Sequence, residues 1–339
     1  MKHPAVLFLD NTSWDNMALA LAATRPSSLL DVKAIFVTGR AAHTDPNASV
    51  EERDENYSSY IHFLNAARLQ QFLQNAGRAD IPVIMGERVH RTQIRTVIPH
   101  RAHVNEEVYD LWDAWGEARI HEFTEGIQFL RHHKAKKFLV LVGGPLTEVA
   151  LIQRYAPDVA AKFGTIFVQA GDFADDESTN LLGGKGNSFN GAVDAVALDD
   201  VLRGHDGEVI LLPSNMTKQS ELGFATPDQL AGLGIYPPLL EGYRVHYEHS
   251  AKRRGTSLFI HDLGLVILAE QRVRGHQDFP YRYEQVGILE VPFGAPLSGQ
   301  PERRGTIVIG PPVCRTNRYV VVWQDTDGYR DRVAAYLQS

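Results

Sequence analysis

The stretch Ala5-Val6-Leu7-Phe8-Leu9-Asp10-Asn11-Thr12-Ser13-Trp14-Asp15 decides the fold. Five apolar residues in a row, without alternation, read as a strand buried on both faces, the pattern of a parallel sheet covered by helices. After a polar loop, residues 15–23 (Asp-Asn-Met-Ala-Leu-Ala-Leu-Ala-Ala) read as an apolar helix. Carboxylates just past the C-terminal end of such a strand stand where open α/β sheets bind ligands. A second apolar run, Ser257-Leu258-Phe259-Ile260, ends in His261-Asp262. Asp10, Asp15 and Asp262 gathered together would form an oxygen-rich site for a hard divalent cation, with His261 beside it.

Outward from these runs, strand and helix patterns alternate. Strands are expected at residues 5–9, 32–38, 81–84, 137–142, 165–169 and 209–212. Helices are expected at residues 15–23, 56–75, 118–133, 146–155, 194–202 and 263–271. This order predicts an α/β fold with a mainly parallel central sheet and helices on both faces. Beyond about residue 285 the character changes. Strands at 285–291, 306–309 and 319–323, separated by Pro/Gly-rich turns, predict a C-terminal β-rich appendage, closed by a helix at 327–337. With no repeat and no low-complexity linker, residues 1–339 are expected to form a single domain.

Bulk properties narrow the function classes. The chain has 339 residues, 44% apolar and 22% charged, an ordinary globular composition. A net charge of −7 without a basic block argues against nucleic acid as a partner. No apolar run approaches the roughly 20 residues that span a bilayer, and the short N-terminal run leads into Asp10, so it reads as a strand and not a signal peptide. Cys314 is the single cysteine, which excludes an intrachain disulfide and points to a cytoplasmic protein.

Each motif also has a plainer reading. Asp15 and Asp262 suit helix N-caps, where a carboxylate meets the positive end of the dipole. Gly143-Gly144, between the strand 137–142 and a helix, lets backbone approach a ligand closely and can offer a carbonyl to a cation. A turn that only packs strand against helix would look the same. The segment from Arg88 to His103 holds Arg88, His90, Arg91, Arg95, His100, Arg101 and His103, and its spacings match no structural zinc pattern. It reads either as a solvated loop or as a flap carrying positive charge towards an anionic substrate.

Taken together, these segments resemble the inosine–uridine nucleoside hydrolase family, from about residue 5 to residue 337. The family opens on a strand followed by Asp-x-Asp-Pro-Gly-x-Asp-Asp-Ala. Aligned without a gap, Asp10 falls on its second aspartate and Asp15 on its last. Gly77-Arg78-Ala79-Asp80-Ile81-Pro82-Val83 looks like the family's Gly-Arg-x-Asp-Ile-Pro-Val strand. Gly144-Pro145-Leu146-Thr147-Glu148-Val149-Ala150 is close to its Gly-Pro-Leu-Thr-Asn-x-Ala. Ser188-Phe189-Asn190 with Asp194 looks like its Glu-Phe-Asn…Asp-Pro segment, and His261-Asp262 matches its C-terminal His-Asp.

The resemblance implies a calcium ion held by Asp10, Asp15, Asp262 and the backbone carbonyl of Gly143. It implies Asp10 as general base towards water and His261 as the residue that protonates or polarises the departing base. Asn190 would hold sugar hydroxyls. A homo-oligomer, dimer or tetramer, is implied by the same resemblance.

The departures cluster on the sugar and on the flap. Trp14 stands where the family has a sugar-gripping aspartate, and Ser188 replaces a glutamate. Arg40 replaces a strand-end asparagine, and Asn180 aligns with a sugar-binding asparagine only through a gap. Asn11-Thr12 replaces Pro-Gly, and Phe8 the first aspartate. Each lost carboxylate-to-hydroxyl bond costs about 1.5–3 kcal/mol, one to two decades of rate. Trp14 is expected to stack on a base or sugar, or to narrow the pocket. The expected function is therefore calcium-dependent cleavage of an N-glycosidic bond in a nucleoside or nucleotide-like substrate, with specificity shifted from ordinary ribonucleosides. The alternatives are a catalytically impaired member that binds a nucleoside-like ligand or a protein partner, and a cluster holding another cation or none.

Overall fold

The computed structural model describes residues 2–10, 14–38, 58–86, 120–171, 190, 194–213, 217, 223–224, 226–248, 259–275, 281–288, 307–309, 317–323 and 326–338. Along the chain the elements are β1 (His3–Leu9), α1 (Trp14–Thr24), β2 (Leu30–Val37), α2 (Ser58–Asn75), β3 (Val83–Met85) and β4 (Ile120–His121). Then come α3 (Phe123–His132), β5 (Phe138–Val142), α4 (Thr147–Tyr155), α5 (Pro157–Ala160), β6 (Phe163–Gln169), α6 (Ala195–Gly204) and β7 (Val209–Leu212). The last are α7 (Pro227–Ala231), α8 (Pro237–His246), α9 (Leu263–Arg274), β8 (Tyr281–Ile288), β9 (Ile307–Ile309), β10 (Arg318–Trp323) and α10 (Thr326–Leu337).

The strands form one 10-stranded sheet in the order β4-β3-β2-β1-β5-β6-β7-β10-β8-β9. From β4 across to β10 every neighbour is parallel. Among the described strands β8 alone is reversed, pairing antiparallel with β10 on one side and with β9 on the other. The β-rich C-terminal segment is thus an extension of the central sheet, entered through β10 beside β7.

The apolar run in β1 explains the layering. Ala5, Leu7 and Leu9 face one core, shared with α1, α2, α8, α9 and α10, while Val6 and Phe8 face another, shared with α3, α4 and α6. Phe8 stacks on Phe36 with ring centroids 4.8 Å apart. A strand buried on both faces has no use for alternating polar residues. The sheet order turns between β1 and β5, since β2, β3 and β4 lie to one side and β5, β6 and β7 to the other. Such a switch point opens a crevice at the C-terminal strand ends.

α9 is buried along most of its length, from Leu263 to Gln271, and stops at Gly275 in the left-handed region. Its buried Glu270 accepts bonds from Ser28 Oγ (2.8 Å), the Leu29 amide (3.0 Å) and the Tyr336 hydroxyl. This carboxylate ties the entry to β2 and the terminal helix to α9, and so fixes the helix whose N-terminus carries Asp262.

Two expectations change. Residues 118–133 do not form one helix, because Ile120–His121 pairs beside β3 as an edge strand. α3 then starts after Glu122, with Glu122 and Glu125 forming a capping box. In addition, α5, α7 and α8 were not anticipated, although each carries proline in its first turn, a position that suits a residue without an amide hydrogen. The basic stretch from Arg88 to His103 lies outside the described residues. Among the described residues no helix is long and apolar enough to cross a membrane.

Candidate active site

Asp10 directly follows β1, and Gly143-Gly144 directly follow β5, the neighbouring strand. The Gly143 amide donates to the Phe8 carbonyl at 2.8 Å, which continues the ladder to the sheet edge. A Cβ on Gly144 would stand 2.8 Å from the Asp10 amide nitrogen and 2.9 Å from Asp10 Cβ. A Cβ on Gly143 would stand 3.0 Å from Asn16 Oδ1 and 3.1 Å from Asp262 Oδ2. Space therefore demands glycine at 144, and a side chain at 143 would crowd Asn16 and Asp262, because the ends of β1, α1 and α9 converge on the pair.

α1 contributes two side chains. Asn16 is buried and its Nδ2 donates to Asp10 Oδ1 at 2.6 Å. Asp15 is half-buried, and its Oδ1 accepts the Asn16 amide at 3.0 Å. Asp15 thus lies inside the first helical turn and not at the cap. The structure places Trp14 elsewhere. Its ring is buried in the core and meets Tyr243 edge-on, with centroids 4.9 Å apart. The ring is thus covered in this structure, and a contact with a base or sugar, or a narrowed pocket, stays an expectation for Trp14. A large flat apolar side chain in the first turn of a core-facing helix gains more by burial against the packed face of α8.

Asp262 occupies the cap position of α9, yet its side chain makes no capping bond. The carboxyl is buried, and burial, followed by repulsion from Asp15 and then Asp10, pushes it well above the usual carboxylate range. The positive end of the α9 dipole offsets part of that cost. Tyr329 lies beneath, and burial together with the Asp262 charge pushes its hydroxyl upward as well.

A second tier fixes the rim. Asn190, buried, directs Nδ2 at the Gly143 carbonyl (3.2 Å), the Gln169 carbonyl (3.0 Å) and Gln169 Oε1 (2.9 Å). Asp194 caps α6 by accepting from the Ala197 amide at 3.0 Å and accepts the Thr147 hydroxyl at 2.7 Å. These bonds join the ends of β5 and β6 to α4 and α6. On the opposite side, His261 Nδ1 lies 2.5 Å from Thr217 Oγ1, and Phe259 lies along the imidazole face.

Of the residues singled out from sequence, Asp10, Asp15, Gly143, Asn190 and Asp262 are brought together here, and His261 directly precedes Asp262, with its ring on Thr217 and Phe259. Arg40, Asn180 and Ser188 lie outside the described residues. Asn16, Gln169 and Thr217 were missed. Asn16 follows a flagged aspartate, and only helix geometry decides which neighbour turns inward. Gln169 and Thr217 carry no local signal, since their partners are distant in sequence.

Among the described residues, no three His, Cys, Asp or Glu side chains close into a metal cluster by themselves. The donors that converge are mixed. Asp10, Asp262 and Asn16 meet beside Gly143, and the charge of Asp15 acts on Asp262. Carboxylates, an amide oxygen and a backbone carbonyl form the donor set that hard cations such as calcium take. A cation there would relieve the repulsion borne by the buried Asp262, so the residues fit such an ion.

Solved structures carry the same fold. A plant nucleoside hydrolase superposes with a TM-score of 0.73 over 100% of this chain and 98% of its own, at 18% identity. An inosine-uridine preferring nucleoside hydrolase from Bacillus anthracis gives 0.65 over 99% and 98%, at 14% identity. The type III effector XopQ, solved with adenosine diphosphate ribose, gives 0.62 over 100% and 94%, at 13% identity. A comparison with curated protein sequences finds no match. The model of the inosine-uridine preferring nucleoside hydrolases matches residues 6–329. With Asp10, the glycine turn after β5 and the His261-Asp262 pair all inside that span, the chain belongs to the inosine-uridine preferring nucleoside hydrolase family, whose members are N-glycosyl hydrolases.

Proposed function

We propose that the chain hydrolyses the N-glycosidic bond of a nucleoside or nucleotide-like small molecule, with Asp10 as general base and His261 assisting the departing base. The observation that carries this reading is the convergence of Asp10, Asn16 and Asp262 on Gly143 at the switch point of the sheet. Asp10 and Asp262 are buried, where a charge acts more strongly than in water.

Asp10 accepts a proton from water as the water oxygen bonds to C1′. The C1′–N bond breaks, its electron pair leaves with the base, and the nearby carboxylates stabilise the positive charge that develops on the sugar. Asn16 holds Asp10 by its amide, so the basic oxygens keep one orientation. Asp10, Asp15, Asn16, Asp262 and the Gly143 carbonyl would hold calcium. When bound, that ion would supply a fixed positive charge that orders and acidifies water.

Specificity is proposed to depart from ordinary ribonucleosides at Ser188, and towards a phosphate at Arg40, whose guanidinium suits bidentate phosphate binding. Asn180 and Asn190 are proposed to face the sugar. Trp14 acts through the core and leaves Asp15 and Asn16 as the polar side chains of that turn at the crevice. A homo-oligomer and a cytoplasmic location are proposed from the family resemblance and the single cysteine.

The test is free-sugar release from ribo- and deoxynucleosides and their 5′-monophosphates, with calcium or with chelator. Chelator-sensitive release is the expected result. A second reading is a member that binds without turnover, as the fold shared with an effector solved with adenosine diphosphate ribose suggests. It is supported if calorimetry detects ligand binding where no panel member is cleaved.

A further inference from the structure

His261 is held on two sides. Thr217 Oγ1 lies 2.5 Å from its Nδ1, and the Phe259 ring is stacked along its face, 6.0 Å between centroids at 27°. Thr217 is buried, beyond the end of β7, while His261 precedes α9. A buried hydroxyl beside an imidazole constrains it, because a neutral ring carries one donor and one acceptor nitrogen, and the partner of one nitrogen sets the role of the other.

We propose that Thr217 is a positioning residue for His261: its hydroxyl donates to Nδ1, which keeps the ring proton on Nε2 and aims that N–H at the departing base. The inference rests on the N-glycosidase reading for its consequence, but the contact stands without it. In the hydrolytic step the water oxygen bonds to C1′ and the water proton goes to Asp10. The C1′–N electron pair stays on the base, whose leaving nitrogen takes its proton from solvent. Nε2–H donates a hydrogen bond throughout and keeps its proton. Thr217 therefore matters in proportion to how poorly the base leaves.

That dependence separates positioning from mere packing. Thr217→Val keeps the shape and removes the hydroxyl, and Thr217→Ser restores it. Two substrates are compared: the nucleoside the native enzyme cleaves best, and 4-nitrophenyl riboside, whose phenolate leaves without help. Thr217→Val should lower kcat on the nucleoside by about tenfold or more, at the lower end of what a positioned proton-handling group contributes. KM should change little, the nitrophenyl substrate should be cleaved near the native rate, and Thr217→Ser should recover most of the loss. Nitrogen-15 spectra of histidine-labelled protein, assigned with His261→Asn, should show an unprotonated, hydrogen-bonded Nδ1 in the native protein that is altered in Thr217→Val. Equal loss on both substrates, or an unchanged Nδ1 signal, overturns the proposal. If the native protein cleaves neither substrate, the N-glycosidase reading fails. The nitrogen spectra then decide the Thr217 contact alone: an altered Nδ1 supports it and an unaltered one overturns it.

Discussion

Asn16 Nδ2 donates to Asp10 Oδ1 at 2.6 Å, and both side chains are buried at the switch point of the sheet. The amide belongs to the first turn of α1 and the carboxylate to the end of β1, so this one bond fixes the entry of the helix and the aim of the proposed base. It also makes Asn16 a neutral member of a set that otherwise repels itself. Asn16→Asp would add a third buried carboxylate beside Asp10 and Asp262. In chelator its melting temperature should fall below that of the native protein, and calcium should raise it by more. Tenfold tighter binding corresponds to about 1.4 kcal/mol of added stabilisation. Equal calcium-induced shifts in the two proteins would remove Asn16 from the cation site.

Asp10→Asn keeps the shape and the bond from Asn16 but removes the base. Turnover should fall by about 10²–10⁴-fold, the usual contribution of a positioned general base. Affinity for the best substrate, measured by calorimetry, should stay close to native. Unchanged turnover would place the base elsewhere.

Gly144→Ala would push a methyl group to 2.8 Å from the Asp10 amide nitrogen. Overpacking of this kind costs about 1–3 kcal/mol, and here it should also lower kcat by displacing Asp10. Gly242→Ala, in α8, is the control, since a Cβ there meets nothing within 4 Å. It should be neutral or stabilising by up to about 1 kcal/mol. Denaturant titration and kcat distinguish the two.

Trp14 offers a test of core against pocket. Trp14→Ala should destabilise by about 3–5 kcal/mol, as for other buried aromatic truncations. Trp14→Phe should cost less and leave the ranking of substrates unchanged. A changed ranking in a stably folded Trp14→Phe protein would return this ring to the substrate.

His205 should shape acid stability. Its ring is buried, Nε2 donates to the Gly164 carbonyl at 2.7 Å, and burial pushes its pKa below the ordinary value near 6.5. The unfolded chain then takes up the proton first as pH falls. The stabilisation is complete above about pH 6.5 and is lost as pH drops from there through the folded-state pKa. Melting temperatures of the native protein and His205→Gln should therefore converge, or cross, between pH 7 and 5. A constant difference across that range would exclude this linkage.

The layered α/β fold was legible because burial leaves its mark on local sequence. Val6-Leu7-Phe8 reads as a strand covered on both faces, and the longer run after Asp262 as a buried helix. Asp10, Gly143 and His261-Asp262 were legible for a related reason: each sits at the end of such a run, where the sheet's own geometry gathers side chains. The tertiary structure alone decided what each neighbour does. Helix rotation turned Asn16 into the crevice and Trp14 onto Tyr243, although both lie within one turn of Asp15. Edge pairing beside β3 made Ile120–His121 a strand where helical spacing was expected. Thr217 met His261 across 44 residues of chain, and Asn190 met Gly143 across 47. Periodicity records which face of an element is buried. It carries no record of which distant polar group will face it, because that pairing is set when separate elements pack.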